Sequence, residues 1–105
     1  MTTEKFKRKL AAILSADVKG YSRLMGEDEE ETIRTLKAYM EAIIGFIQKH
    51  HGRIVGTAGD SVLAEFASVV DAVRSAVEFQ EELKERNKDL AEEKRMEFRI
   101  GINLV

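Results

Sequence analysis

Short stretches of contrasting hydrophobic period follow one another along this chain, and each change of period marks an element. Residues 9–18, "KLAAILSADV", form a mostly apolar run that stops at Lys19-Gly20. Its length and bounding glycine predict a central strand with both faces covered. From Asp28 the period becomes helical, with Ile33, Leu36, Met40, Ile43 and Ile47 recurring as one stripe. Asp28 followed by Glu31 predicts a capping box at the start of this helix, and His50-His51-Gly52 marks its end. "RIVGTA" and "SVLAEF" read as two strands joined through Gly59-Asp60, a dipeptide suited to a tight hairpin because glycine tolerates positive φ. Ser68 and Asp71 open a second helix, with Val69, Val73, Ala76, Val77, Phe79 and Leu83 as its covered side. "KERNKDLAEEKR" is its solvated end and a loop, and "MEFRIGINLV" closes as a strand with Phe98, Ile100, Ile102 and Leu104 on one face.

The order strand, helix, strand, strand, helix, strand is the split βαβ, or ferredoxin-like, pattern. It predicts an α+β domain, an antiparallel sheet with helices on one face. Right-handed crossovers make the first and third strands central neighbours running antiparallel. The end of the first strand, at Asp17, then meets the start of the third, where Asp60 sits in the hairpin turn. Two carboxylates converge beside a Lys-Gly turn whose backbone N–H groups lead into a helix. That arrangement suits divalent metal ions carrying polyphosphate, the carboxylates holding the metal and the amides taking the phosphates.

Composition narrows the class without changing this picture. With 105 residues, 44% hydrophobic and 34% charged, the chain suits one compact domain with a single core. Its 17 basic and 19 acidic residues nearly cancel, so the overall balance steers it toward neither nucleic acid nor an anionic membrane. The basic group Lys5, Lys7, Arg8 and Lys9 reads as a solvated N-terminal face. The absence of cysteine excludes disulfides, a thiolate nucleophile and a zinc ribbon. No apolar run approaches the roughly 20 residues of a membrane span, and the N-terminus lacks the apolar core of a signal peptide. A cytoplasmic location is the expectation.

Four segments carry a family resemblance. "AAILSADVKGYSRLM", "GRIVGTAGDSVLAEF", "SVVDAVRSAVEFQEEL" and "FRIGINL", in that order and spacing, resemble the catalytic domain of class III nucleotidyl cyclases, the adenylate and guanylate cyclases. The resemblance implies conversion of a nucleoside triphosphate, ATP or GTP, to a cyclic monophosphate and pyrophosphate by two magnesium or manganese ions. Asp17 and Asp60 match the family's metal aspartates, the carbonyl of Val18 would be a further ligand, and Lys19, Gly20, Tyr21 and Ser22 would wrap the triphosphate. Many adenylate cyclases have a base-recognising lysine where this chain has Gly56, so adenine specificity does not follow. Family domains also continue beyond the position of Val105 with the residues that position ribose and stabilise the transition state. The resemblance therefore implies one truncated domain over residues 1–105, inactive alone, associating as a homo-oligomer. A non-catalytic self-association or cyclase-interaction module, and a palm remnant that binds metal-triphosphate without reacting, are the alternatives.

The remaining polar candidates read as structural. His50 and His51 lack an acidic or second histidine partner at ligand spacing. Glu65 is placed to face the helix-free side of the sheet. Met25, Met40 and Met96 are core filling, and Gly45, unfavourable in a helix interior, points to a close helix contact.

Overall fold

A computed structural model describes residues 10–105; the basic group at Lys5, Lys7, Arg8 and Lys9 lies outside these residues. The elements are β1 (Ala12–Val18), α1 (Tyr21–Glu27), α2 (Glu29–Lys49), β2 (Arg53–Ala58), β3 (Ser61–Phe66), α3 (Val69–Asn87), a short 3-10 turn (Glu92–Lys94) and β4 (Phe98–Leu104). The sheet order is β2-β3-β1-β4, every neighbouring pair antiparallel, as the ferredoxin-like reading requires. No helix among the described residues is long and apolar enough to cross a membrane.

The core forms where the helices cover one sheet face. Ala12, Leu14, Ala16 and Val18 of β1 are buried and alternate with half-buried Ile13, Ser15 and Asp17. The expectation that both faces of β1 are covered is thus corrected: its second face lies on the helix-free side. Phe66 and Phe79 pack into the same core with Ile43 and Ile47, each burial contributing about 1.5–3 kcal/mol. Met96 is buried and Met40 packs against the core, whereas Met25 is only half-buried and is not part of it.

Most of the expected α2 stripe holds, with Ile43 and Ile47 buried and Leu36 and Met40 packed against the core, and in α3 Ala76, Phe79 and Leu83 hold while the valines do not. In α2, Ile33 is exposed and the buried face is Thr32, Tyr39, Ile43 and Ile47. In α3, Val69, Val73 and Val77 are exposed, and Ala72, Ser75, Phe79, Leu83 and Asn87 face inward. The physical reason is hydrogen bonding in α2 and side-chain size in α3. Thr32 Oγ1 donates to the Leu24 carbonyl at 2.8 Å and the Tyr39 hydroxyl to Asn87 at 2.7 Å, so polar side chains occupy the core without loss. Ala72 and Ser75 are small enough to let α3 lie close to the sheet.

Helix α1 is absent from the sequence reading, because its seven residues carry one buried anchor, Leu24, and no stripe. Asp28 in extended conformation separates it from α2 and caps the latter, accepting from the Glu31 amide at 3.1 Å. The reciprocal half of the capping box is not made: the Asp28 amide donates to Leu24, and the Glu31 carboxylate takes Lys94. Ser68 caps α3 as expected, accepting from the Asp71 amide at 3.2 Å. In β4, Phe98 is buried and Ile100 and Ile102 half-buried, but Leu104 is 71% exposed at the strand's end.

His50, nearly buried at the end of α2, places Nε2 3.2 Å from the Glu78 carboxylate, which also accepts from Lys49 at 3.0 Å. This contact is structural, in line with the sequence reading. His51 then adopts a left-handed φ of 68°, and Gly52 follows where a Cβ would lie 2.5 Å from the Phe66 ring and 2.7 Å from Ile47. Gly45 has no such neighbour: a Cβ there meets nothing within 4 Å, which corrects the expected close contact.

Two alanine substitutions separate these glycines. Gly52→Ala is expected to destabilise by about 1–3 kcal/mol through overpacking, and Gly45→Ala to stabilise by about 0.5–1 kcal/mol through helix propensity. Urea unfolding measures both, and equal effects would contradict the packing at Gly52.

Candidate active site

Strand alternation and register assemble the site at the C-terminal end of β1. Asp17 belongs to the strand face away from the helices and is paired with Ser61 of β3 on one side and Arg99 of β4 on the other. Ser61 directly follows Asp60, so the hairpin turn brings the second carboxylate to the same sheet end. Gly59, with φ of 56°, makes that two-residue turn possible. Sequence reasoning placed this pair side by side, and the register does so.

Arg99 was missed. Its Nε donates to Asp17 Oδ1 at 2.9 Å, with side chains 68% and 42% exposed. The hydrogen bond and charge of Asp17, with a smaller contribution from Asp60, push the guanidinium above its ordinary value. The signal was available: Arg99 is the polar residue between Phe98 and Ile100, and the predicted topology puts the last strand beside the first.

Past Asp17 the chain turns into α1. Val18 ends the strand with a buried side chain, and the Lys19 amide extends the β1–β4 ladder by donating to the Glu97 carbonyl at 2.8 Å. Gly20 then takes the left-handed conformation (φ 67°, ψ 34°) as the N-cap, with no side chain capping the helix. The amides of Tyr21, Ser22 and Arg23 open the first helical turn, where no preceding carbonyl is available to them. Lys19 and Arg99 line an open groove of about 690 Å³ together with Lys84, Lys88, Arg95 and Glu97, a predominantly cationic surface.

On β2, a bulge between Ile54 and Gly56 leaves Val55 47% exposed. A Cβ at Gly56 would meet nothing within 4 Å. Gly56 borders a shallow depression of about 390 Å³ with Ser15, Thr57, Ser61 and Leu63, which has no charged side chain in its lining. Glu65, on the helix-free face, is engaged by Arg53, whose Nε donates to it at 2.7 Å.

The donor set fits a hard divalent cation. No group of three or more His, Cys, Asp or Glu gathers among the described residues. Magnesium in phosphate chemistry is held by one or two carboxylates together with substrate phosphates and water, and needs no all-protein cage. Asp17 and Asp60 supply that number.

A four-stranded antiparallel sheet with three helices places the chain among α+β domains, and comparison with known proteins narrows this further. The family model described as "Adenylate and Guanylate cyclase catalytic domain" matches residues 4–104, and the chain belongs to this family. It is 43% identical over 105 residues to a protein of Rhizobium meliloti (strain 1021) named putative adenylate cyclase 3, spanning 99% of this chain and 18% of that one. The crystal structure of an adenylate/guanylate cyclase/hydrolase from Silicibacter pomeroyi superposes with a TM-score of 0.82 at 41% identity, covering 92% of this chain and 57% of that one. The guanylyl cyclase Cya2 gives a TM-score of 0.78 at 27% identity, with 92% and 54% covered. The chain thus spans less than two thirds of each of these relatives.

Arg99 competes with any cation for Asp17. In Arg99→Gln, manganese titrated alone is expected to bind about three- to tenfold more tightly, since a like charge and a hydrogen-bonded rival are both removed. Fold stability should change by less than about 1 kcal/mol, as for other exposed pairs. Unchanged manganese affinity, read by electron paramagnetic resonance, would separate Asp17 from metal binding.

Proposed function

We propose that this chain supplies the metal- and phosphate-holding part of a nucleotidyl cyclase site, acting on ATP or GTP with magnesium or manganese. The observation that carries the reading is the pairing of Asp17 with Ser61 and Arg99, which sets two carboxylates and a guanidinium at one sheet end beside the Lys19-Gly20 turn. Asp17, Asp60 and the Val18 carbonyl would hold the cations. Bound there, the ions would lower the pKa of the ribose 3′-hydroxyl and neutralise charge on the phosphoryl group under attack.

The chain's own residues do the rest. In the turn from Lys19 through Gly20 to Tyr21 and Ser22, the Lys19 amide is held by the Glu97 carbonyl, so the backbone N–H groups at the start of the helix would take the phosphates, with no side-chain oxygen capping the helix in their place. With cations held by the carboxylates, Arg99, now bonded to Asp17, would be free to neutralise charge on the triphosphate from the groove it lines with Lys19. The reaction would form a bond between O3′ and the α-phosphorus and break the bond from that phosphorus to the oxygen bridging to the β-phosphate, pyrophosphate leaving with that oxygen and the 3′-hydroxyl proton passing to solvent. The uncharged depression at Gly56 gives a base no ionic partner, so these residues do not select adenine over guanine by charge.

The groups that orient ribose and stabilise the transition state are assigned to sequence outside these 105 residues or to another subunit. Val55 and Leu63, 47% and 39% exposed on the helix-free face, offer an apolar surface for such a subunit. This supports a homo-oligomer in preference to an isolated module.

Asp60→Asn should weaken manganese binding by about tenfold or more while the fold survives, because this half-buried turn carboxylate lies outside the core. The 105-residue chain with manganese and ATP or GTP should give no cyclic nucleotide above background, since metal alone does not align the 3′-hydroxyl. Robust product from the isolated chain, lost in Asp17→Ala, would show that the missing groups are not needed.

A further inference from the structure

Asn87, the last residue of α3, is 8% exposed, and its side-chain amide makes three hydrogen bonds. Its Oδ1 accepts from the Tyr39 hydroxyl at 2.7 Å and from the Met96 backbone N–H at 3.1 Å, while its Nδ2 donates to the Met96 carbonyl at 2.9 Å. The side chain therefore pairs with Met96 as a neighbouring strand would, two residues before β4 begins. Tyr39 is 4% exposed on α2, and burial pushes its hydroxyl pKa up, so it stays a donor at neutral pH. The network ties the two long helices to one backbone position.

That position governs the site. Glu97, next in the chain, accepts from the Lys19 amide at 2.8 Å, and Arg99, two residues further, pairs with Asp17. Gln80 adds a single, longer bond from α3 to the Phe98 carbonyl at 3.3 Å. The backbone from Met96 to Arg99 is thus gripped on one side by α3 and presents its other side to Asp17 and the Lys19-Gly20 turn.

We infer that Asn87 is a positioning residue: by holding Met96 through both its backbone groups, with Tyr39 fixing the amide, it sets the Lys19 turn and the Arg99 guanidinium against Asp17. The inference deepens the cyclase reading above, and its consequence for nucleotide rests on that reading. Supporting groups of this kind act through geometry, and a displacement of about 1 Å at a reacting centre can cost on the order of a hundredfold.

The test is amide hydrogen exchange by NMR on the folded 105-residue chain and two variants. Tyr39→Phe removes only the hydroxyl that fixes the amide, and Asn87→Ala removes the grip itself. Exchange at Lys19 N–H and Arg99 Nε–H should accelerate by about tenfold in Asn87→Ala, and by about threefold in Tyr39→Phe, relative to the amides of β2 and β3. Equal acceleration at all these sites would mean that Asn87 contributes only global stability, and no change at Lys19 would mean that the turn is set elsewhere. Either result overturns the proposal, and if Asn87→Ala does not fold, the Tyr39→Phe comparison decides it. Manganese with ATP, titrated well below the unfolding temperature, should bind about tenfold more weakly to Asn87→Ala. A wild-type chain that fails to bind manganese-ATP would overturn the cyclase reading, with the exchange data still deciding the role of Asn87.

Discussion

Double pairing of β1 is the constraint on which the rest of the structure depends. The strand bonds β3 along one edge and β4 along the other, and Ala12, Leu14, Ala16 and Val18 are held against the helices by burial. Because side chains alternate with period two, a slip of one residue would turn Asp17 into the core and bring Ala16 and Val18 out. Burial of four small or branched apolar side chains therefore fixes the direction of a carboxylate that contributes nothing to the core. The same register brings Ser61, and with it Asp60, to one flank of Asp17 and Arg99 to the other.

The site that results is open and polar yet tightly placed. Its carboxylates and guanidinium are substantially exposed, so their mutual attraction is screened and weak as a source of stability. Their positions come from hydrogen bonds to the backbone instead: the strand ladders, the Lys19 amide on Glu97, and the Asn87 side-chain amide on Met96. This division of labour suits phosphate chemistry. In the proposed function, side chains that would exchange partners on binding a cation and a triphosphate are not the groups that keep the fold together.

Polar residues in the core follow the same logic. Thr32, Tyr39 and Asn87 replace aliphatic residues on the inward helix faces because each finds a hydrogen-bond partner there. The valines of α3 that dominate the hydrophobic pattern face outward, while Ala72 and Ser75 allow the close approach to the sheet. Apolar character alone therefore misplaced Ile33 in α2 and the three valines Val69, Val73 and Val77 in α3.

What the sequence by itself determined was the order of strands and long helices, the hairpin at Gly59-Asp60 and the convergence of Asp17 with Asp60. These depend on local period, glycine conformation and chain handedness, all of which are properties of short segments. The four segments around them were also enough to identify the family. Helix α1 was not legible because one buried residue makes no stripe, and the bulge at Val55 because nothing local distinguishes it from regular strand. Tertiary structure alone decided that Arg99 neutralises Asp17 and that Asn87 and Tyr39 are buried. Arg99 and Asp17 lie 82 residues apart along the chain, and Tyr39 and Asn87 lie 48 apart, so only the packed sheet and helices bring them within hydrogen-bond distance.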